Sequence, residues 1–338
     1  GTGNLTVGGA AALDTSSALA LNNNVILNNA LSVGASNDLT LGGVVSGSGS
    51  LIKNGTSNLT LNGANSYQGG TSLNAGTLTL GNNAALGSGA LTVAGAATLA
   101  NSANLALGNA LNLNALLTVG GANPLALNGV IAGSGGLIKN GASSLTLTGN
   151  NSYSGNTALN AGSLIVGANT ALGTGVLNAA TGTTLDSSAA VALANNLNLA
   201  GNLTLGGSNA LTLDGVVAGS GGLSKNGAAD LTLNGLNTYT GNTALNAGKL
   251  IVGSNSALGS GALNTAANTA LDNNTAISLA NALNLAGALN IGGSADLTLT
   301  GPVNGAGSLV KNGAANLTLN GANGYLGGTT LNAGTLTV

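Results

Sequence analysis

Apolar and polar residues alternate along this chain in many short runs of three or four residues. Leu59-Thr60-Leu61, Leu78-Thr79-Leu80 and Leu91-Thr92-Val93 place Leu or Val on one face of an extended chain and Thr on the other. Strings rich in Gly and Asn, such as Asn62-Gly63 and Gly87-Ser88-Gly89, separate these runs and favour tight turns. The pattern predicts an all-β protein made of many short strands.

A repeat of 86 residues organises these strands. The tripeptide Lys-Asn-Gly occurs at 53–55, 139–141, 225–227 and 311–313, with no insertion or deletion between copies. A slipped residue would misalign every later coil of a stacked fold, so this strict spacing predicts a parallel β-helix. Coils of about 20 residues would divide one period into four coils. We predict one repeat array over residues 1–338, with repeat phases starting at 51, 137, 223 and 309, as a fragment of something longer.

Three positions recur at the same place in every period and are occupied by Asn, Tyr and Lys. We interpret them as structural turn or corner residues. A lysine stripe that contacts a ligand and a tyrosine platform for carbohydrate are the alternatives. The tyrosine hydroxyl is expected to meet water or backbone, and the asparagine amide to meet turn backbone groups. These positions are Asn74, Asn160, Asn246 and Asn332, Tyr67, Tyr153, Tyr239 and Tyr325, and Lys53, Lys139, Lys225 and Lys311.

Composition argues against catalysis. The chain has no His and no Cys, and reading it through shows no Glu and no Arg, so aspartates are its only acids. Paired-carboxylate chemistry needs two acids roughly 5 to 10 Å apart, and calcium needs about six to eight oxygens. The aspartates are scattered, so we predict no enzyme, no catalytic residue, no cofactor and no metal site. A net charge of −2 gives no reason to expect nucleic acid, and no apolar run is long enough for a membrane helix.

Each copy of the repeat resembles a known family motif. Residues 51–55 (LIKNG), 59–61 (LTL), 65–71 (NSYQGGT) and 73–78 (LNAGTL) closely resemble the autotransporter-associated β-strand repeat, and 237–243 (NTYTGNT) is similarly close. The resemblance implies a right-handed parallel β-helix, part of a type V secretion passenger exported through its own outer-membrane barrel. It also implies a location at the bacterial cell surface or outside the cell.

The expected function is a structural and adhesive surface scaffold, an extended rod for adhesion or self-association. One alternative is an inert stalk that assists export and displays another domain. A second alternative is a glycan- or ice-binding solenoid, although Ser163-Leu164-Ile165-Val166 interrupts the Thr77-Leu78-Thr79 pattern in the second copy. The expected partners are a second copy or a host or surface ligand, without membrane insertion by this segment.

Overall fold

A computed structural model describes residues 1–34 and 36–338 and shows an all-β parallel solenoid. Thr71 pairs in parallel with Leu51 on one side and with Leu91 on the other. Consecutive coils are therefore 20 residues apart at this position, as the sequence predicted. Over the described residues, the structure contains no helix that is long and apolar enough to cross a membrane.

The chain divides into two compact units. Unit 1 comprises residues 1–164 and 170–175, and unit 2 comprises residues 165–169 and 176–338. Strand β22 (Ser163–Val166) contributes residues to both.

Unit 1 contains four ladders of parallel strands. Ladder 1 contains β1, β4 and β7; ladder 2 contains β2, β5, β8, β10, β12, β15 and β18; ladder 3 contains β3, β6, β9, β11, β13, β16, β19 and β21; ladder 4 contains β14, β17 and β20. The strands are β1 (Leu5–Val7), β2 (Ala11–Leu13), β3 (Leu19–Leu21), β4 (Val25–Leu27), β5 (Leu31–Val33), β6 (Leu39–Leu41), β7 (Val45–Ser46), β8 (Leu51–Lys53), β9 (Asn58–Leu61), β10 (Thr71–Leu73), β11 (Thr77–Leu80), β12 (Leu91–Val93), β13 (Ala97–Asn101), β14 (Leu105–Leu107), β15 (Leu111–Leu113), β16 (Leu117–Val119), β17 (Leu125–Leu127), β18 (Ile131–Ala132), β19 (Leu137–Lys139), β20 (Ser144–Leu147) and β21 (Thr157–Leu159).

Unit 2 is built in the same way. Ladder 5 contains β23, β26 and β29; ladder 6 contains β24, β27, β30, β32, β34, β37 and β40; ladder 7 contains β25, β28, β31, β33, β35, β38, β41 and β43; ladder 8 contains β36, β39, β42 and β44. The strands are β23 (Leu177–Ala179), β24 (Thr183–Ser187), β25 (Val191–Leu193), β26 (Leu197–Leu199), β27 (Leu203–Leu205), β28 (Leu211–Leu213), β29 (Val217–Gly219), β30 (Leu223–Lys225), β31 (Leu231–Leu233), β32 (Thr243–Leu245), β33 (Lys249–Val252), β34 (Leu263–Thr265), β35 (Thr269–Asn273), β36 (Ile277–Leu279), β37 (Leu283–Leu285), β38 (Leu289–Ile291), β39 (Leu297–Leu299), β40 (Val303–Gly305), β41 (Leu309–Lys311), β42 (Asn316–Leu319), β43 (Thr329–Leu331) and β44 (Thr335–Thr337).

The core is a stack of aliphatic side chains. In a typical strand, such as β6, the first and third residues are buried and the middle residue is only partly covered. Leu39 and Leu41 of this strand are 1% and 0% exposed. Each fully buried leucine contributes about 1.5–3 kcal/mol, so the stability of the array accumulates coil by coil, mainly from aliphatic residues.

The sequence period does not equal a whole number of coils, and the interpretation of four coils per period is wrong. In unit 1, four coil steps carry position 51 through 71, 91 and 111 to 131 along ladder 2. The second repeat copy begins at 137, six residues beyond 131, on β19 of ladder 3. One period therefore takes four coils and about one third of a fifth. In unit 2, the copies starting at 223 and 309 shift in the same way, from ladder 6 to ladder 7.

A glycine that follows β18 tests how closely the coils approach each other. Gly133 has a φ of 110°, and the equivalent glycines of the other three periods have φ values of 106° to 109°. A methyl group there would overlap the carbonyl oxygen of Leu113 in the preceding coil. We expect Gly133→Ala to lower the free energy of unfolding by about 2 kcal/mol or more. Gly108→Ala is the matched control, because a methyl group there meets no atom within 4 Å. Equal stability of the two variants in chemical denaturation would contradict the close coil contact.

Candidate functional site

Lys53 is a buried cation at a corner of the solenoid. It occupies the inward third position of β8 and is 0% exposed. Its Nζ donates hydrogen bonds to the carbonyl oxygens of Asn54, Gly55 and Ala75 at 2.7, 2.8 and 3.1 Å. Asn54 and Gly55 form the corner of the same coil, whereas Ala75 belongs to the next coil. The ammonium group therefore joins two consecutive coils.

The equivalent lysines of the other copies are buried in the same way, between 0% and 2% exposed. Each donates to a glycine carbonyl of its own corner and to an alanine carbonyl of the next coil: Lys139 to Gly141 and Ala161, Lys225 to Gly227 and Ala247, and Lys311 to Gly313 and Ala333. Burial lowers the pKa of all four lysines. Because these side chains are covered and change ladder from copy to copy, the alternative of a ligand-binding lysine stripe is wrong.

Three of the four tyrosines are buried in the interior of the coils. Tyr67 is 0% exposed, and its hydroxyl lies 2.5 Å from Oγ1 of the buried Thr71. Burial raises the pKa of Tyr67 to about 12, and the hydrogen bond with Thr71 partly opposes this shift. The partner is thus a threonine hydroxyl and not water or backbone. A buried ring cannot stack on a sugar, so the carbohydrate platform is wrong for Tyr67, Tyr153 and Tyr239.

Equivalent tyrosine–threonine pairs occur in the later copies. Tyr153 and Tyr239 are 0% exposed, and their hydroxyls lie 2.6 Å from Thr157 and Thr243. Tyr325 also bonds to Thr329 but is only half-buried.

An asparagine two residues before each tyrosine has a role that the sequence reasoning missed. Asn65 stands where ladder 1 ends after β7 and is 5% exposed. Its Oδ1 accepts from the amide of Val45 at 2.8 Å, and its Nδ2 donates to the carbonyl of Ala85 at 2.7 Å. The Asn65 side chain thus bonds to the backbone of the coils before and after it, as a paired strand would do at this position. Asn151 and Asn237 make the equivalent pairs of bonds. Their recurrence one period apart was the available signal.

The predicted asparagine positions connect side chains of neighbouring coils. Asn74 donates from Nδ2 to Oδ1 of Asn54, 20 residues earlier, at 2.7 Å. The amide therefore meets another amide and not the turn backbone expected from the sequence. The same contact, at 2.7 or 2.8 Å, joins Asn160 to Asn140, Asn246 to Asn226, and Asn332 to Asn312.

The aspartates also bridge coils. Asp14 accepts hydrogen bonds from the hydroxyl and the amide of Ser36, at 2.5 and 2.9 Å. These bonds, led by the Ser36 hydroxyl, and a bond from the Thr15 amide lower the pKa of Asp14. Asp186 and Asp272 bind Ser208 and Ser294 in the same way. Within residues 1–34 and 36–338, no three His, Cys, Asp or Glu side chains come together as a metal site would require.

A polar face covers part of ladder 3 in unit 1. Two adjacent columns of outward threonines run along it, and we call them the threonine face. The first column contains Thr40, Thr60 and Thr79; the second contains Thr77, Thr98 and Thr118. All six are half-buried, and the exposed Asp38, which lies on the coil of Thr40 and bonds to the amide of Asn58, places one negative charge at the end of this face.

Two of the six threonines of this face are hydrogen-bonded internally. Thr79 donates to Oδ1 of Asn58 at 2.8 Å, and Asn58 donates from Nδ2 to Thr60 at 2.9 Å. Across the described chain, the hydroxyls of the other four threonines have no hydrogen-bond partner; these are Thr40, Thr77, Thr98 and Thr118. The segment 163–166 does not interrupt this face, because its strand β22 is not in the ladder.

The hydrogen bonds from Nζ of Lys53 to three carbonyl oxygens, which we call the lysine cradle, predict that removing this buried side chain destabilises the fold strongly. The same name is used for the equivalent lysines of the other copies. Lys53→Ala leaves a cavity and removes the donor shared by three carbonyls, so we expect a loss of about 3 kcal/mol in the free energy of unfolding. Lys249→Ala is the control. Its Nζ forms a 2.9 Å ion pair with Asp230, and the two side chains are 37% and 41% exposed. That substitution should cost about 1 kcal/mol or less. Comparable losses in urea denaturation would contradict the cradle.

The buried tyrosines predict a loss of stability at high pH. Their pKa is raised from 10.0 to about 12, so the folded state holds the phenolic proton more strongly than the unfolded chain. This stabilisation is complete below pH 10 and is lost between pH 10 and about 12. The lysines act in the opposite direction, so we compare the chain with Tyr67→Phe, which leaves them in place. The variant should lose part of the pH dependence, measured by denaturation and tyrosinate absorbance; an unchanged profile would refute the assignment.

Comparisons with known proteins agree with the repeat. Residues 51–80, 137–166, 223–252 and 309–338 match the passenger-associated-transport-repeat. The adhesin BmaC autotransporter of Brucella suis biovar 1 (strain 1330) is 42% identical over 142 residues. That alignment covers 39% of this chain and 4% of the relative, so the chain spans a small part of its length. No solved structure shows a significant match.

The matched segments contain all the buried lysines and all the tyrosines described above. The resemblance inferred from the sequence is therefore confirmed, and its four recurring lysines and three of its four tyrosines lie inside the coils. This chain is a parallel β-solenoid that carries four passenger-associated-transport repeats.

Proposed function

We propose that this chain is a non-catalytic passenger segment of a bacterial autotransporter, displayed at the cell surface as a structural and adhesive scaffold. The observation that carries the proposal is the threonine face, where four hydroxyls without an internal partner among the described residues point outward on a surface of low charge. The match to an adhesin autotransporter supports it. An outer-membrane barrel elsewhere in the precursor and a longer passenger are part of the same proposal.

The partner that suits the threonine face best is a second copy of the chain. The threonines of the face carry no charge, and Asp38 at its end contributes a single negative charge. Two such faces therefore approach with little electrostatic repulsion and can exchange hydroxyl hydrogen bonds. The face crosses five coils, and at about 4.8 Å per coil it covers roughly 300 Å². A stable interface needs about 800 Å² per partner, so a single contact is weak. Many copies on one surface would provide the missing strength through multivalency.

The burial of the repeat lysines and tyrosines favours a second candidate, an inert stalk that displays another domain. In that case the threonine face contacts only water, and copies of the chain do not associate. A host ligand, a glycan or ice would be a third kind of partner for the same face. The experiment below separates these possibilities.

Aggregation of beads coated with the chain tests self-association. In the test variant, Thr40, Thr98 and Thr118 are changed to Lys, which removes no internal hydrogen bond. The control variant carries Thr92→Lys, Asn112→Lys and Ala132→Lys, outward positions of ladder 2 with the same added charge. We expect the original and control beads to aggregate and the test beads to aggregate at least about tenfold less.

Dispersed beads of the original chain would refute self-association and favour the stalk. Equal aggregation of test and control beads would show that another face is responsible. If the beads stay dispersed, binding of the original chain to crystalline polysaccharide or to ice, lost in the test variant, would support the third alternative.

A further inference from the structure

The basic and aromatic side chains, which trypsin-like and chymotrypsin-like endoproteases prefer, are confined to the repeat motifs of this chain. Trypsin-like enzymes need Lys or Arg in their S1 pocket, and chymotrypsin-like enzymes prefer large aromatic residues. The 338 residues include five basic residues, all of them lysines, and four aromatic residues, all of them tyrosines. Every one of these nine lies within the four matched segments.

The fold then hides most of these side chains. The four cradle lysines are 0% to 2% exposed, and three of the tyrosines are 0% exposed. A protease cannot draw Lys53 into its S1 pocket while the ammonium is bonded to three carbonyl oxygens inside the coil. Access to the recognised side chain therefore requires opening of the solenoid.

The backbone around these residues is also occupied. Lys53 pairs with Val33 on one side and with Leu73 on the other, and its carbonyl accepts from the amide of Asn74 at 2.9 Å. Endoproteases bind substrate as an extended strand, so the segment must leave both neighbours before cleavage. The rate then follows the population of the opened state.

The surface is made of residues that these proteases do not recognise. Charged residues make up roughly 25–35% of the surface in well-designed soluble proteins. In this protein they make up 4% of the whole chain. Asn, Ser and Thr replace Lys, Arg and Glu at the outward positions, as on the threonine face. Solubility alone would be served better by added charge. A surface with few basic or aromatic side chains gives this composition a separate physical advantage.

We propose that the solenoid is a protease-inert surface element, in which burial of four of the five lysines and three of the four tyrosines removes most recognition sites of basic- and aromatic-specific endoproteases. The proposal does not depend on adhesion. Lys249 is the exception, because its side chain is 37% exposed. Its strand β33 is still paired on both sides, with β31 and β35. Slow native cleavage after Lys249 is therefore expected, and Lys249→Gln should remove it.

Trypsin digestion of the full chain, followed by mass spectrometry, tests the proposal. We expect cleavage after Lys53, Lys139, Lys225 and Lys311 to be roughly a thousandfold or more slower in buffer than in a urea concentration that unfolds the chain but not trypsin. Rates that differ by less than tenfold between the two conditions would overturn the proposal, because burial would then not protect the lysines.

A new surface lysine shows whether hidden side chains or a rigid backbone cause the resistance. Ser88 is exposed in a bend, and its side chain has no hydrogen-bond partner among the described residues. Ser88→Lys should create one rapid cut after position 88, whereas the control Ser88→Gln should stay as resistant as the original chain. If Ser88→Lys is not cut under native conditions, side-chain burial is not the cause and the proposal fails.

Discussion

A three-residue strand of this chain cannot be stable alone, and the whole structure depends on pairing with the strands one coil before and one coil after it. A short isolated strand pair is marginal in water, and a typical strand here buries only two side chains, as β6 does. Parallel stacking gives the strands inside each ladder two partners and often places a leucine on a leucine of the next coil, as at Leu39 and Leu59. Contacts between neighbouring coils therefore provide both the hydrogen bonds and the core.

The corners bring a second requirement, because the chain turns there and its carbonyl groups point away from the ladders. Buried polar groups are costly unless they are hydrogen-bonded. In each repeat a lysine ammonium donates to the corner carbonyls. Elsewhere asparagine amides donate to other carbonyls and aspartate carboxylates accept from backbone amides, as Lys53, Asn65 and Asp14 show. A buried charge without a carboxylate partner carries a desolvation cost, which the charge-assisted bonds to the carbonyls offset. The conspicuous polar residues of the repeat thus stabilise coil stacking.

Much of this architecture could be predicted from the sequence, since the alternation of Leu and Thr gives the strands and parallel β-helices commonly use about 20 residues per coil. The burial of Lys53 was also within reach, because in Leu51-Ile52-Lys53 the lysine shares the inward phase of Leu51. The partners of the tyrosine hydroxyl were not accessible, since Tyr67 and Thr71 meet across a tight bend whose geometry the sequence does not specify. The threonine face was missed because equivalent residues were assumed to stack on one face, whereas its columns combine different phases of the period.

The extra third of a coil in each period affects how such an array can grow. If the gene lengthens by duplication of one period, the new copy cannot extend an existing face, because its residues enter the neighbouring ladder, as they do between β8 and β19. Anything attached beyond the insertion would turn by about a third of a revolution. Three duplications would be needed to restore the original heading. The number of copies in these arrays therefore sets both the length of the array and the direction in which an attached segment points. Recombination between repeats would change that direction.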